Sequence, residues 1–152
     1  MVRSSLLSMG NTFRIQKAIQ KAKSGKPVTL AYIGGSITQG AGATPIHTEC
    51  YAYKSWKMFQ KKFAIKENVK FIKAGVGGTP SELGMLRFER DVLRENEQPD
   101  IIVIEFAVND EGDETKGDCY ESLVRKALKL PWNRQLFCCF QCLQMTGIFK
   151  NV

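Results

Sequence analysis

Ser36 is the residue of this chain best placed to do chemistry. It follows two glycines at the end of a β-branched and aromatic run, within the segment VTLAYIGGSITQG at residues 28–40. Glycine has no Cβ, so Gly34 and Gly35 let the backbone turn sharply and leave a serine hydroxyl uncrowded at the carboxyl end of a strand. In open α/β sheets that edge is where ligands bind. A serine there is a candidate nucleophile for acyl transfer. Its hydroxyl attacks an ester carbonyl, and the oxyanion that develops requires preorganised hydrogen-bond donors.

Two further segments offer such donors. GVGGT at residues 75–79 contains a glycine such as Gly78, whose backbone N–H can approach closely because no side chain intervenes. AVND at residues 107–110 contains Asn109, whose side-chain amide can aim at the same oxygen. One side-chain donor of this type contributes about 2.7–4 kcal/mol to the transition state. Taken singly, each motif has a plainer role: Ser36 as a helix N-cap, Gly77-Gly78 as a loop, Asn109-Asp110 as a turn. Their recurrence at three consecutive strand ends is what points to a shared site.

The elements that must position them follow from periodicity. Residues 11–24 suit an amphipathic helix with Phe13, Ile15, Ala18, Ile19 and Ala22 on its apolar face, closed by Gly25 and Pro27. A strand at 28–33 leads into a polar, glycine-containing loop. Residues 51–63 read as a helix with Tyr51, Trp56, Met58, Phe59 and Phe63 as burial candidates. A strand at 69–74 ends at Gly75, and Pro80 opens a helix over 80–95 with Leu83, Leu86, Val92 and Leu93 facing inward. The run IIVIEFAV at 101–108 is typical of a strand buried on both faces, and a helix over 118–130 stops before Pro131. Alternation at this spacing predicts an α/β fold, a parallel sheet with helices on both faces. Because parallel strands share an edge, the three motifs should converge. Glu105, a carboxylate inside the third strand, needs a partner, and the segment after strand one is the place to look for it.

In order and spacing the three blocks resemble those of the SGNH hydrolase superfamily, the GDSL-type esterases and lipases. That family's first block, a Gly-Asp-Ser, reads here Gly34-Gly35-Ser36-Ile37-Thr38, as in GGSIT-type members that resemble carbohydrate esterases. Its second block carries an oxyanion-hole glycine, matched by Gly78, with Gly75 the weaker match. Its third, Gly-x-Asn-Asp, reads Ala107-Val108-Asn109-Asp110, which makes Asn109 the oxyanion-hole side chain. The resemblance covers residues 27–130. It implies a three-layer flavodoxin-like parallel sheet and a serine esterase that hydrolyses acyl esters, above all acetyl esters such as those on carbohydrates. It implies no cofactor and no metal; the partner is a small ester or acylated carbohydrate.

One block of the family has no counterpart. The Asp-x-x-His that supplies acid and base does not occur in these 152 residues, and the sole histidine is His47, in the loop beyond Ser36. A catalytic base must itself be oriented by a third group, and none is identifiable for His47, which reads as an ordinary loop histidine. Turnover is therefore expected to be impaired. The competing reading is a non-catalytic remnant or carbohydrate-binding module that keeps the pocket. A nucleotide-binding domain, suggested by GVGGTP, lacks the Walker lysine and the full GxGxxG pattern.

Composition excludes other classes. The net charge of +7 is spread along helix faces, with Lys17, Lys21 and Lys23 on one and Lys57, Lys61, Lys62 and Lys66 near another. That is the pattern of solvated helices and predicts no nucleic-acid partner. No stretch of eighteen apolar residues and no signal-peptide core occurs, so neither a membrane span nor export is expected, and the location is cytoplasmic by default. Cys138, Cys139 and Cys142 lack a second ligand pair, and Cys50 and Cys119 stand apart, so neither a zinc site nor a disulfide framework is expected. The expected organisation is an N-terminal helical segment at 1–26, a partial hydrolase domain at 27–131 and an abnormal tail at 132–152. In that tail LFCCFQCLQMTGIF follows neither the helix nor the strand period. A shifted reading frame would account for it and for the missing last block, leaving the C-terminal part of the fold missing or abnormal.

Overall fold

A computed structural model describes residues 11–94, 98–110, 114–129 and 136–139, the last four and 114–116 by backbone only. The first helix, α1 (Phe13–Lys23), leads to β1 (Val28–Gly34), the short α2 (Ser36–Gln39), α3 (Tyr51–Phe63) and β2 (Val69–Gly75). Then follow α4 (Ser81–Phe88), a single π-helical turn (Glu89–Leu93), β3 (Ile101–Glu105), α5 (Glu114–Leu128) and β4 (Leu136–Cys139). The four strands form one parallel sheet in the order β2-β1-β3-β4. This is the flavodoxin-like, doubly wound arrangement, in which the chain reverses direction between β1 and β3 and opens a crevice at the carboxyl edge.

β1, β2 and β3 divide their side chains between two cores, as the two-residue period requires. Ala31, Ile33, Ile72, Ala74, Ile102 and Ile104 face Phe88 of α4, Val92 of the π turn, and Tyr120, Leu123 and Ala127 of α5. Val28, Leu30, Tyr32, Val69, Ile101 and Val103 face Ala18 and Ala22 of α1 and Ala52 of α3, with Trp56, Phe59 and Phe63 packed at the margin. Every residue of β1 is buried, as expected of a strand with neighbours on both edges and helices on both faces. Asp100 fastens the start of β3: it accepts the Thr29 N–H and pairs with Lys21 of α1. No helix among the described residues is long and apolar enough to cross a membrane.

Several elements differ from expectation. The loop after strand one begins as the helical turn α2. The third strand ends at Glu105, because the Asn109 and Asp110 N–H groups both turn back to the Phe106 carbonyl. The helix after it starts at Glu114, earlier than expected. In the tail, Leu136–Cys139 does form a strand, pairing Ile101 with Leu136 through Ile104 with Cys139. Backbone pairing to β3 overrides the poor side-chain period there, and the rest of 132–152 except these four residues lies outside the described residues.

Phe13 is exposed, with Lys17 over its ring, because the inward stripe of α1 runs through Ala18 and Ala22. Met58 is exposed because the stripe of α3 runs through Ala52, Trp56, Phe59 and Phe63. Leu83 and Leu86 also face outward, at 41% and 69% exposure. The phase of α4 is fixed instead by Gly84, where a Cβ would lie 2.4 Å from the Phe106 ring. Putting Gly84 and Phe88 inward turns both leucines away from the sheet.

Candidate active site

Register brings the three motifs level. Gly34 pairs with Gly75 on one side and with Glu105 on the other, so all three strands end in one row. Ser36 opens α2 immediately beyond that row and is half-buried. Its turn is secured by the Gly35 N–H, which donates to the Glu105 carbonyl at 3.1 Å, and by the Gly40 N–H, which donates to the Ser36 carbonyl at 2.9 Å.

Asn109 lies against that turn. A Cβ on Gly35 would sit 2.2 Å from Asn109 Oδ1, so the glycine before the serine is what admits the Asn109 amide. Gly77 lies on another side of Ser36, its would-be Cβ 3.8 Å from Ser36 Cβ. Gly78 adjoins it in the left-handed conformation (φ 72°), exposed, with no atom within 4 Å of its would-be Cβ. Gly75 differs: a Cβ there would meet the Gln39 backbone nitrogen at 2.2 Å. It is the seat on which α2 rests, while Gly78 borders open space. The loop is pinned internally by the Thr79 hydroxyl, which donates to the Val76 carbonyl at 2.8 Å.

Three groups around the site carry roles that the sequence reading did not give them. The buried Asp110 accepts the Ser81 N–H at 2.9 Å, at the start of α4. It thereby ties the Asn109 turn to the far end of the glycine loop. Arg87, read only as part of a helix, is buried beneath the same loops. Thr38 of α2 donates to Glu105 Oε2 at 3.2 Å and bonds the Tyr51 hydroxyl at 2.9 Å. Glu105 thus finds its partner in the segment after strand one. Burial pushes its carboxyl above the usual value, against the lowering effect of the Thr38 and Ala107 hydrogen bonds, and Asp110 adds to the rise. Burial likewise pushes the Tyr51 hydroxyl up. Neither the Asp110 role nor the Arg87 role had a local signal, because Asp110 caps a helix that begins 29 residues earlier in the chain, and an arginine in a helix reads as an exposed charge.

His47 is exposed on the loop between α2 and α3, and no hydrogen bond to another described residue orients its ring. The geometry therefore assembles a hydroxyl, a side-chain amide and a glycine loop at one edge, groups suited to acyl transfer, and among the described residues no hydrogen bond joins the Ser36 hydroxyl to a base.

Solved structures share this fold. A two-domain esterase (CEX) active on acetylated mannans, 34% identical, superposes with TM-scores of 0.79 when co-crystallised with mannopentaose and 0.81 otherwise. Those alignments cover 90% and 91% of this chain but 36% of that one, so the chain spans little more than a third of its length. AlinE4, an SGNH-hydrolase family esterase, is 19% identical over 74% of this chain and 59% of its own, with a TM-score of 0.60. The lipase/acylhydrolase from Enterococcus faecalis is 22% identical over 72% of this chain and 55% of its own, with a TM-score of 0.52; these two show the fold. No curated protein sequence matches the chain. The family model of GDSL-like lipases and acylhydrolases does match, over residues 32–146 and hence across all three loops, so the chain belongs to that family, within the SGNH hydrolase superfamily.

Proposed function

We propose that Ser36 is the nucleophile of an acyl-ester hydrolase whose oxyanion donors are the Gly78 N–H and the Asn109 side-chain amide. The observation that carries this reading is the Asn109 amide packed where Gly35 lacks a side chain, one residue before Ser36. The Ser36 hydroxyl adds to the ester carbonyl and the carbonyl oxygen becomes the oxyanion. Collapse expels the alcohol, which takes the serine proton, and water then hydrolyses the acyl-serine. Acetyl esters on carbohydrate are the proposed substrate class, supported by the likeness to an esterase active on acetylated mannans.

A base normally accepts the serine proton, and these 152 residues hold no Asp-x-x-His sequence to supply one. Their turnover by themselves is proposed to be slow, resting on the oxyanion donors and substrate binding. Hydrolysis of p-nitrophenyl acetate and of acetylated manno-oligosaccharide tests the reading. The expected result is a slow rate abolished by Ser36→Ala and unchanged by His47→Ala. A rate that survives Ser36→Ala overturns the nucleophile, and loss in His47→Ala makes that histidine the base. Saccharide binding with no hydrolysis selects a binding module instead.

A further inference from the structure

Arg87 of α4 is 5% exposed, and a buried guanidinium is costly unless its charge and donors are met. Its Nη1 donates to Asp91 Oδ2 at 2.9 Å, one turn along the helix. Its Nη2 donates to the Gly34 carbonyl at 3.0 Å, at the end of β1 and two residues before Ser36. The same carbonyl accepts the Val76 N–H at 3.1 Å, and Val76 opens the Gly77-Gly78 loop. One oxygen, with both lone pairs engaged, therefore joins the nucleophile turn, the glycine loop and α4. Arginine suits the post because its planar fork serves two acceptors at fixed angles, whereas a lysine ammonium is a point charge on a flexible stem. Among the described residues Nε has no partner, so the terminal nitrogens alone hold the group in place.

We propose that Arg87 is a positioning residue that holds Ser36 in register with the Gly77-Gly78 loop. The catalytic consequence rests on the hydrolase reading of Ser36; the mechanical role does not. Without Nη2, only Val76 holds the Gly34 carbonyl, and the serine turn is free to shift against the glycine loop.

The test replaces the buried Arg87 and its half-buried partner by apolar residues, Arg87→Met with Asp91→Leu, so that neither is left with an unmet charge toward the other. Asp91→Leu alone, which removes only the Asp91 contacts to Arg87 and Arg90, is the control. Amide hydrogen exchange is followed by NMR on the whole chain. The expected result is exchange about tenfold or more faster at Val76 and Gly40, with the Val28 and Asp100 amides at the opposite end of the sheet unchanged. Unchanged protection at Val76 and Gly40 overturns the proposal, and so does equal acceleration everywhere, which marks a merely structural residue. Should the double variant not fold, Arg87→Lys keeps the charge without the fork and is held to the same two outcomes. With p-nitrophenyl acetate, kcat is expected to fall about tenfold at unchanged KM, the signature of lost transition-state alignment. Unchanged kcat overturns the catalytic consequence. If the parent chain shows no turnover, the hydrolase reading fails alone and the exchange data still decide Arg87.

Discussion

At the scale of single residues, the candidate site depends on what one small position leaves out. Gly35 gives up a side chain so that the Asn109 amide can stand beside the serine turn. Asn109→Ala is expected to lower kcat for p-nitrophenyl acetate by about 10²–10³, the usual loss for one oxyanion donor. Gly35→Ala places a methyl 2.2 Å from Asn109 Oδ1 and is expected to reduce kcat as well, by displacing the donor. Steady-state kinetics of both variants check this. Glu105 makes a separate prediction. Burial holds its carboxyl above the ordinary 4.5, so the folded protein binds that proton more tightly than the unfolded chain. Its contribution to stability is full below the unfolded pKa and is lost as pH rises through the folded value. The Tm of the parent relative to Glu105→Gln should therefore fall as pH rises from 4.5. A difference that stays constant or grows contradicts the raised pKa.

At the scale of elements, the strand ends are level because β1 pairs in register with both neighbours, but level ends alone do not place a serine. Placement comes from α2 resting on Gly75, from Thr38 of that helix bonding Glu105 of β3, and from Asp110 fastening the Asn109 turn to α4. Gly75→Ala forces a methyl into the backbone of α2 at Gln39, which cannot move aside as a side chain would. We expect a loss of about 1–3 kcal/mol in urea unfolding, the usual scale for overpacking. Gly84→Ala meets the edge of the Phe106 ring instead, and a ring can yield, so its loss should be smaller.

At the scale of the whole molecule, two cores grip one sheet, and the core on the α4 and α5 side contains Phe88, Phe106, Ile102, Ile104 and Leu123, all nearly or fully buried. Phe88→Ala is expected to cost about 3–5 kcal/mol, the range for a large side chain removed from a packed interior. Because Arg87 precedes Phe88, that loss should also loosen the site, seen as faster exchange at Val76. Edge order matters at this scale too. With β1 and β3 central, the crevice between them falls where Ser36 and Asn109 emerge, so the winding of the chain places the candidate site there.

The sequence by itself determined the strand–helix alternation, the parallel sheet and the three segments that gather at its edge. Those properties are written in local patterns: apolar runs in β1 and β3, glycines where strands stop, and helix periods between them. It also singled out Ser36, Gly78 and Asn109 as candidates, because nucleophile and donor chemistry restricts residue type. Only the tertiary structure decided the phase of α4, which depends on the Phe106 ring filling the space beside Gly84. It alone put Arg87 inside, made Asp110 a tie between two loops, and gave Glu105 its partner in Thr38. It also recruited Leu136–Cys139 as β4, where backbone pairing outweighs the side-chain period. The reason is common to all of these. Each rests on contacts between residues far apart in the chain, and a local pattern carries no record of what will stand opposite it.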